Sequence, residues 1–86
     1  MEITLDVSEL EPCEPLEQTL SAIDQLQPGD FLHVFHRREP LLLFPLLEKK
    51  GVGWHCREGG PAGYEIYIWM ADDAVAEQQV RGSLAG

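Results

Sequence analysis

The chain has few basic residues and no long apolar run. Its 86 residues include six Lys and Arg against fifteen Asp and Glu, which gives a formal net charge of −9 at pH 7. Binding to a nucleic-acid backbone draws on clustered Lys and Arg, so this balance argues against a nucleic-acid partner. The same acidity repels anionic membranes, and no stretch approaches the roughly 20 apolar residues that a membrane-spanning helix needs.

Cysteine is also scarce. Cys13 and Cys56 are the two cysteines of the sequence, and neither lies in a CxxC pair. They do not form the disulfide framework of a small secreted protein. The first ten residues, MEITLDVSEL, are acidic and alternate in polarity, unlike a secretory signal peptide. We therefore expect one domain with one modest core, in a reducing, cytoplasmic compartment.

The periodicity of apolar residues predicts strand, helix, strand, helix and two further strands. A two-residue period predicts a strand at Glu2–Val7, and helical spacing predicts a helix from Pro15 to Leu26. We expect the second strand at Phe31–Arg37 and the second helix at Pro40–Lys50, where Pro45 would kink the helix or delay its start. The Gly/Pro-rich segment GGPAG joins the last two strands, VGWHCRE and YEIYIWM.

This order predicts an α+β fold. Two amphipathic helices would pack on one face of a four-stranded mixed sheet, giving a two-layer α/β sandwich over residues 1–70. Residues 71–86 have few large apolar side chains. We expect a loosely attached tail there, and a short helix capped by Asp72 or Asp73 is the alternative.

Two motifs give the chain a family resemblance. The segment LEPCEPLEQTLSAIDQLQPGD, after a strand ending in LDV, resembles small sulfur carriers of the TusA/SirA type. Their signature is Leu-x-Cys-Pro-x-Pro at the start of the first helix. The motifs EPCEPL and HRREPLLLFPLLEKKG resemble more closely a neighbouring, largely uncharacterised family of the same fold. The resemblance spans Ile3 to Met70 and implies a β-α-β-α-β-β sandwich.

The resemblance makes Cys13 a candidate sulfur acceptor. In an ungapped alignment, the carrier's cysteine falls on Pro12 and Cys13 falls on the carrier's first proline. A thiol at a helix N-terminus faces unpaired N–H groups, which favour the reactive thiolate. Four glutamates between residues 9 and 17 oppose a further negative charge. The alternative interpretation is a small, half-buried residue at the helix entry.

The basic cluster of His36, Arg37 and Arg38 is a second candidate site. Arginines in a turn before a helix can hold a carboxylate, a phosphate or a partner's side chain. We expect contact with a partner or a small anionic ligand here. The alternative is a solvated turn whose arginines pair with nearby glutamates and contribute little to stability.

The sheet face away from the two helices is a third candidate site. By alternation it carries a cluster of aromatic side chains, namely Phe31, Phe35, Tyr67 and Trp69. Exposed aromatic residues concentrated on one face are typical of a surface for self-association or for a partner protein. The alternative is that the tail folds back and covers them.

Metal binding and catalysis have less support in the sequence. His33 and His55 share one face of the expected sheet but fall short of the three or four ligands that zinc needs, and Cys56 points to the opposite face. We expect no metal site and no cofactor. No catalytic triad, phosphate loop or HExxH motif is present. The sequence favours a non-catalytic binding module that uses the arginine turn and the aromatic face; a sulfur carrier using Cys13 and a metal- or redox-linked domain are the alternatives.

Overall fold

The computed structural model describes residues 1–8, 14–60 and 62–85, which form four strands and three helices. In chain order these are β1 (Glu2–Asp6), α1 (Glu14–Asp24), β2 (Phe31–His36), α2 (Leu43–Lys50), β3 (Val52–Gly59), β4 (Gly63–Met70) and α3 (Ala74–Ala85). The α+β class and the order through β4 are confirmed. A third helix follows them.

The four strands form one mixed sheet in the order β1-β2-β4-β3. β1 is parallel to β2, and β4 is antiparallel to both of its neighbours. The connections from β1 to β2 and from β2 to β3 therefore cross the sheet in the same direction. Right-handed crossovers in one direction place their helices on the same face, and α1 and α2 share a face accordingly.

The main core lies between this face and the two helices. It is aliphatic, because the residues of β2 and β4 that point towards the helices are Leu32, Val34, Ile66 and Ile68, none of which is exposed. Leu43 and Leu47 of α2 and Ile23 of α1 pack against them. The two-residue period of the strands thus produces one apolar layer.

α2 begins later than the spacing predicts, at Leu43 instead of Pro40. Pro45 then occupies the third position of the helix, where a missing N–H costs nothing because the first-turn N–H groups have no intrahelical partner. Of the two outcomes expected from Pro45, the structure has the delayed start. Gly51 ends the helix in the left-handed conformation, with φ of 72°.

The segment after β4 differs from the loosely attached tail that we expected. Residues 74–85 form α3, which packs on the sheet face opposite α1 and α2 and buries Ala76 and Val80 against Phe31 and Tyr67. Asp73 caps the helix, since its Oδ1 accepts a hydrogen bond from the Ala76 N–H at 3.0 Å. α3 uses small residues for this contact because the large apolar surface comes from the sheet.

Candidate functional site

The turn between β2 and α2, residues 36–42, lies at the end of the sheet where β4 begins. His36 ends β2 and pairs with Tyr64 near the start of β4. The neighbouring Gly63 has φ of +120°, and a Cβ there would lie 3.2 Å from the backbone oxygen of Arg37. Glycine suits both the dihedral angle and the close approach, so the turn packs directly against the β3–β4 hairpin.

Both arginines of this turn are exposed. Neither the Arg37 nor the Arg38 guanidinium pairs with a carboxylate of residues 1–8, 16–60 or 62–85. Arg57, by contrast, pairs with Glu65 on the sheet. No pairing of the arginine turn with glutamates is found among these residues, and the side chains of Glu9, Glu11 and Glu14 lie outside the part of the chain that the structure describes.

Two leucines follow the arginines on the same surface. Leu41 is 64 % exposed and Leu42 is 82 % exposed. Their exposure was not predicted from the sequence, because the apolar spacing assigned both residues to α2, whose true start is Leu43. The available signal was Pro45, which suits the first turn of a helix better than its second.

His36 fixes the backbone of the turn. Its Nδ1 accepts a hydrogen bond from the Arg38 N–H at 3.2 Å. Burial, and to a lesser extent the positive charge of Arg37, lowers the pKa of His36 below its ordinary value of 6.5. The imidazole is therefore neutral at pH 7, as an acceptor must be.

A cavity of about 420 Å³ opens beside the turn. We call it the aromatic cleft; its lining residues are Glu39, Phe44, Trp54, His55, Cys56, Glu58 and Tyr64. They come from the turn, α2, β3 and β4, which are distant in sequence. Alternation along β3 could have indicated that Trp54, Cys56 and Glu58 share a face, but not what lies opposite them.

The cleft carries negative charge. The phenol of Tyr64 donates a hydrogen bond to Glu58 Oε2 at 3.3 Å, and the Glu58 charge raises the pKa of Tyr64 above 10.0. Burial, followed by the charge of Glu39, raises the pKa of Cys56 above 9.0. Cys56 is a free, half-buried thiol that stays protonated at neutral pH. Cys13, the sequence-based candidate, lies outside the described residues.

The aromatic sheet face is not open, because α3 covers much of it. Phe31 and Tyr67 are each only 3 % exposed, and they pack against α3. Phe35 and Trp69 are half-buried. We expected either an open interaction surface or cover by the C-terminal segment. At Phe31 and Tyr67 the C-terminal segment covers the face.

The same face carries a charge cluster whose centre, His33 and Glu65, is largely buried and whose outer members, Glu2 and Arg57, are partly exposed. His33 Nδ1 lies 2.8 Å from Glu2 Oε2, and His33 Nε2 lies 2.6 Å from Glu65 Oε1. Each ring nitrogen thus lies within hydrogen-bond distance of a carboxylate oxygen. Arg57 adds a cation, 3.4 Å from Glu65 Oε2. We call this group the His33 clamp.

Glu65 is charged within the clamp. Burial alone would raise its pKa, but the hydrogen bond from His33 and the charge of Arg57 together lower it below 4.5. The rings add packing, since His33 stacks on Tyr67 with centroids 4.3 Å apart and lies 4.5 Å from Phe35. Each polar group of the clamp is matched inside the protein, which is the pattern of a structural ion network.

In the part of the chain that the structure describes, no group of three or more His, Cys, Asp or Glu side chains could hold a metal ion. His33 is engaged by its two carboxylates, and His55 is exposed at the rim of the aromatic cleft. Among the same residues, no helix is long and apolar enough to cross a membrane.

Comparison with known proteins gives one match. A family model described as "Uncharacterized conserved protein (DUF2249)" matches residues 4–70, which run from β1 to the end of β4. Neither a curated protein nor a solved structure matches the chain. α3 lies beyond the matched residues.

Proposed function

Since the chain belongs to the uncharacterized conserved family DUF2249, we propose its function from its own geometry: it is a non-catalytic module that binds a partner protein through the turn at residues 36–42. The observation that carries the proposal is that this turn exposes two arginines, which pair with no carboxylate of residues 1–8, 16–60 or 62–85, followed by two exposed leucines. The partner surface that fits is acidic and apolar.

The chemistry of the turn is that of a protein interface. Arginine is enriched at interfaces because its planar guanidinium donates several hydrogen bonds and also packs on apolar surface. Exposed leucine side chains gain free energy when a partner removes them from water. In a chain with a net charge of −9, the two arginines also attract an acidic patch locally.

The turn is also held in shape before any partner arrives. His36 accepts the Arg38 N–H, Pro40 is buried, and Gly63 allows the backbone at Arg37 to lie against the hairpin. A loop that is already ordered loses less conformational entropy on binding. The arginines and leucines therefore extend from a fixed platform. The aromatic sheet face is left out of the proposal, because α3 occupies it.

The test places a photo-crosslinking phenylalanine derivative at Leu42 and, as a control, at Glu48, an exposed position of α2 outside the turn. We expect a discrete crosslinked protein from position 42 alone. The double variant Arg37→Glu/Arg38→Glu should abolish it. Lys49→Glu/Arg81→Glu changes the net charge equally at exposed sites elsewhere and should preserve it. Crosslinks that are identical at both positions, or that survive the arginine reversal, would refute the proposal.

A sulfur carrier of the TusA/SirA type is the second candidate. It is supported by the sequence resemblance and by the position of Cys13 immediately before Glu14, where α1 begins. The Cys13 thiolate would attack the outer sulfur of a donor persulfide, and the donor thiolate would leave, so the outer sulfur moves without net oxidation. Mass spectrometry after incubation with a low-molecular-weight persulfide tests this. A gain of one sulfur that Cys13→Ser removes and Cys56→Ser retains would favour the carrier, whereas no gain would exclude it.

A further inference from the structure

The aromatic cleft combines aromatic walls with carboxylates: Phe44 and Trp54 pack against the main core on one side and line the cavity beside Glu39 and Glu58 on the other. We propose that it binds a small organic cation with an ammonium head group, held between its aromatic rings and its two carboxylates. The site is separate from the partner-binding turn, although the two share an edge at Glu39.

The dimensions of the cleft suit a small molecule. Its volume of about 420 Å³ lies within the roughly 300–1,000 Å³ typical of small-molecule sites. Phe44 of α2 and Trp54 of β3 form one wall, with ring centroids 6.2 Å apart and an interplanar angle of 11°. Tyr64 of β4 adds a third ring. These residues come from a helix and two paired strands, which are rigid supports.

Aromatic faces attract cations because the ring quadrupole is negative at the face. The protein already uses this contact elsewhere, since the Arg57 guanidinium lies 5.5 Å above the ring of Tyr67 on the opposite sheet face. The rings of Phe44, Trp54 and Tyr64 line a cavity, and no cation–π contact to them is found among the described residues. An ammonium group with methyl substituents would gain both the electrostatic attraction and the burial of its apolar surface.

The charge of the cleft selects the same class of ligand. Glu39 and Glu58 are exposed, and neither forms an ion pair with a cation of the described residues. The raised pKa of Tyr64, next to Glu58, reports the negative potential that they create. An anion would be repelled from this cavity, and a cation would be attracted.

The lining favours an organic cation over a metal ion. Metal ions need several converging oxygen, nitrogen or sulfur ligands, and no such group is found among the described residues. Aromatic carbon atoms cannot replace those ligands, but they can surround an alkylammonium group. The aromatic walls therefore fit an ammonium ion.

The experiment uses Trp54 as the reporter of the cleft and Trp69 as the internal control. In proton–nitrogen correlation spectra, choline chloride should shift the indole N–H signal of Trp54, identified by its loss in Trp54→Phe. The signal of Trp69, on the α3 side of the sheet, should stay in place. Sodium chloride at equal ionic strength, and 3,3-dimethylbutanol, which has the shape of choline without its charge, should leave Trp54 unchanged.

The double variant Glu39→Gln/Glu58→Gln should weaken choline binding roughly tenfold, as expected for the loss of two partly screened charge contacts. Glu48→Gln, outside the cleft, should leave it unchanged, and Arg37→Glu/Arg38→Glu, which disables the proposed partner surface, should not weaken it. Equal shifts with dimethylbutanol, equal movement of both indole signals, or undiminished binding in Glu39→Gln/Glu58→Gln would each overturn the cation site.

A second measurement covers the case in which a cleft variant fails to fold. In Cys13→Ser, choline should slow alkylation of Cys56, which lines the cleft, whereas dimethylbutanol should not. Equal rates with and without saturating choline would also overturn the proposal. Neither result bears on crosslinking through Leu42, so the two proposals fail independently.

Discussion

The two faces of the sheet differ in chemistry although the same two strands supply both. On the α1/α2 face, β2 and β4 present aliphatic side chains, namely Leu32, Val34, Ile66 and Ile68. On the α3 face the same strands present Phe31, His33, Glu65 and Tyr67. Aliphatic contacts have no preferred direction, whereas the hydrogen bonds of the His33 clamp have defined partners.

We expect the two faces to contribute differently to the stability of the protein. Most of the free energy of folding should come from the aliphatic face, because the removal of apolar surface from water is the main driving force of folding. The α3 face should set how stability responds to pH and where α3 docks. Substitutions at Leu32, Ala76 and Glu65 test this division.

The largest loss is expected at Leu32, which is completely buried on the aliphatic face. Leu32→Ala should lower the free energy of unfolding by about 2–5 kcal/mol, because it removes buried methyl groups and leaves a cavity. Urea unfolding followed by circular dichroism measures this. Leu41→Ala, at a 64 % exposed site, is the control and should change stability by less than about 0.5 kcal/mol. Equal losses would contradict the division.

An intermediate loss is expected where α3 meets the sheet. Ala76 is fully buried there, so Ala76→Leu should overpack the contact with Phe31 and Tyr67 and cost about 1–3 kcal/mol. Hydrogen exchange should show faster exchange in α3 and unchanged protection in β2 and β4. Ala74→Leu adds the same bulk at an exposed site of the same helix and should have no such effect. Uniformly faster exchange throughout the sheet would contradict the separate docking of α3.

The smallest expected change concerns pH. The pKa of Glu65 is lower in the folded protein than its ordinary value of 4.5. Ionised Glu65 therefore contributes fully to the free energy of unfolding above pH 4.5, and this contribution is lost as the pH falls through the folded pKa. Glu65→Gln should flatten the decline of stability in this acid range, while Leu32→Ala should preserve the slope. Unfolding curves between pH 3 and pH 6 compare them. An unchanged slope in Glu65→Gln would show that other carboxylates control acid unfolding.

Sequence patterns predicted the parts of the fold that depend on local periodicity. Alternation identified the four strands, and helical spacing from Leu16 to Ile23 identified α1. The docking of α3 was harder to predict, because Ala76 and Val80 are too small to give a strong apolar pattern. Its position depends on Phe31 and Tyr67, which are remote in sequence, and on Asp73, whose Oδ2 also accepts the Gly29 N–H at 2.7 Å.

The candidate functional site was also predicted only in part, because some of its features are local in sequence and others depend on contacts between separate elements. The arginine pair is a local motif and could be found in the sequence. The exposure of Leu41 and Leu42 depends on where α2 begins, which Pro45 left open between two outcomes. The aromatic cleft brings Glu39 of the turn to Trp54 and Tyr64, and a linear pattern does not show which residues meet across separate elements.

The position of β4 in the sheet has a consequence for the synthesis of the chain. β4 lies between β2 and β3, but it is the last of the four strands to leave the ribosome. Until Gly63–Met70 emerges, β2 has β1 on one side and unpaired N–H and C=O groups on the other. The sheet therefore closes late, when the β3–β4 hairpin pairs with β2, and a nascent chain that pauses before Gly63 exposes a strand edge prone to aggregation.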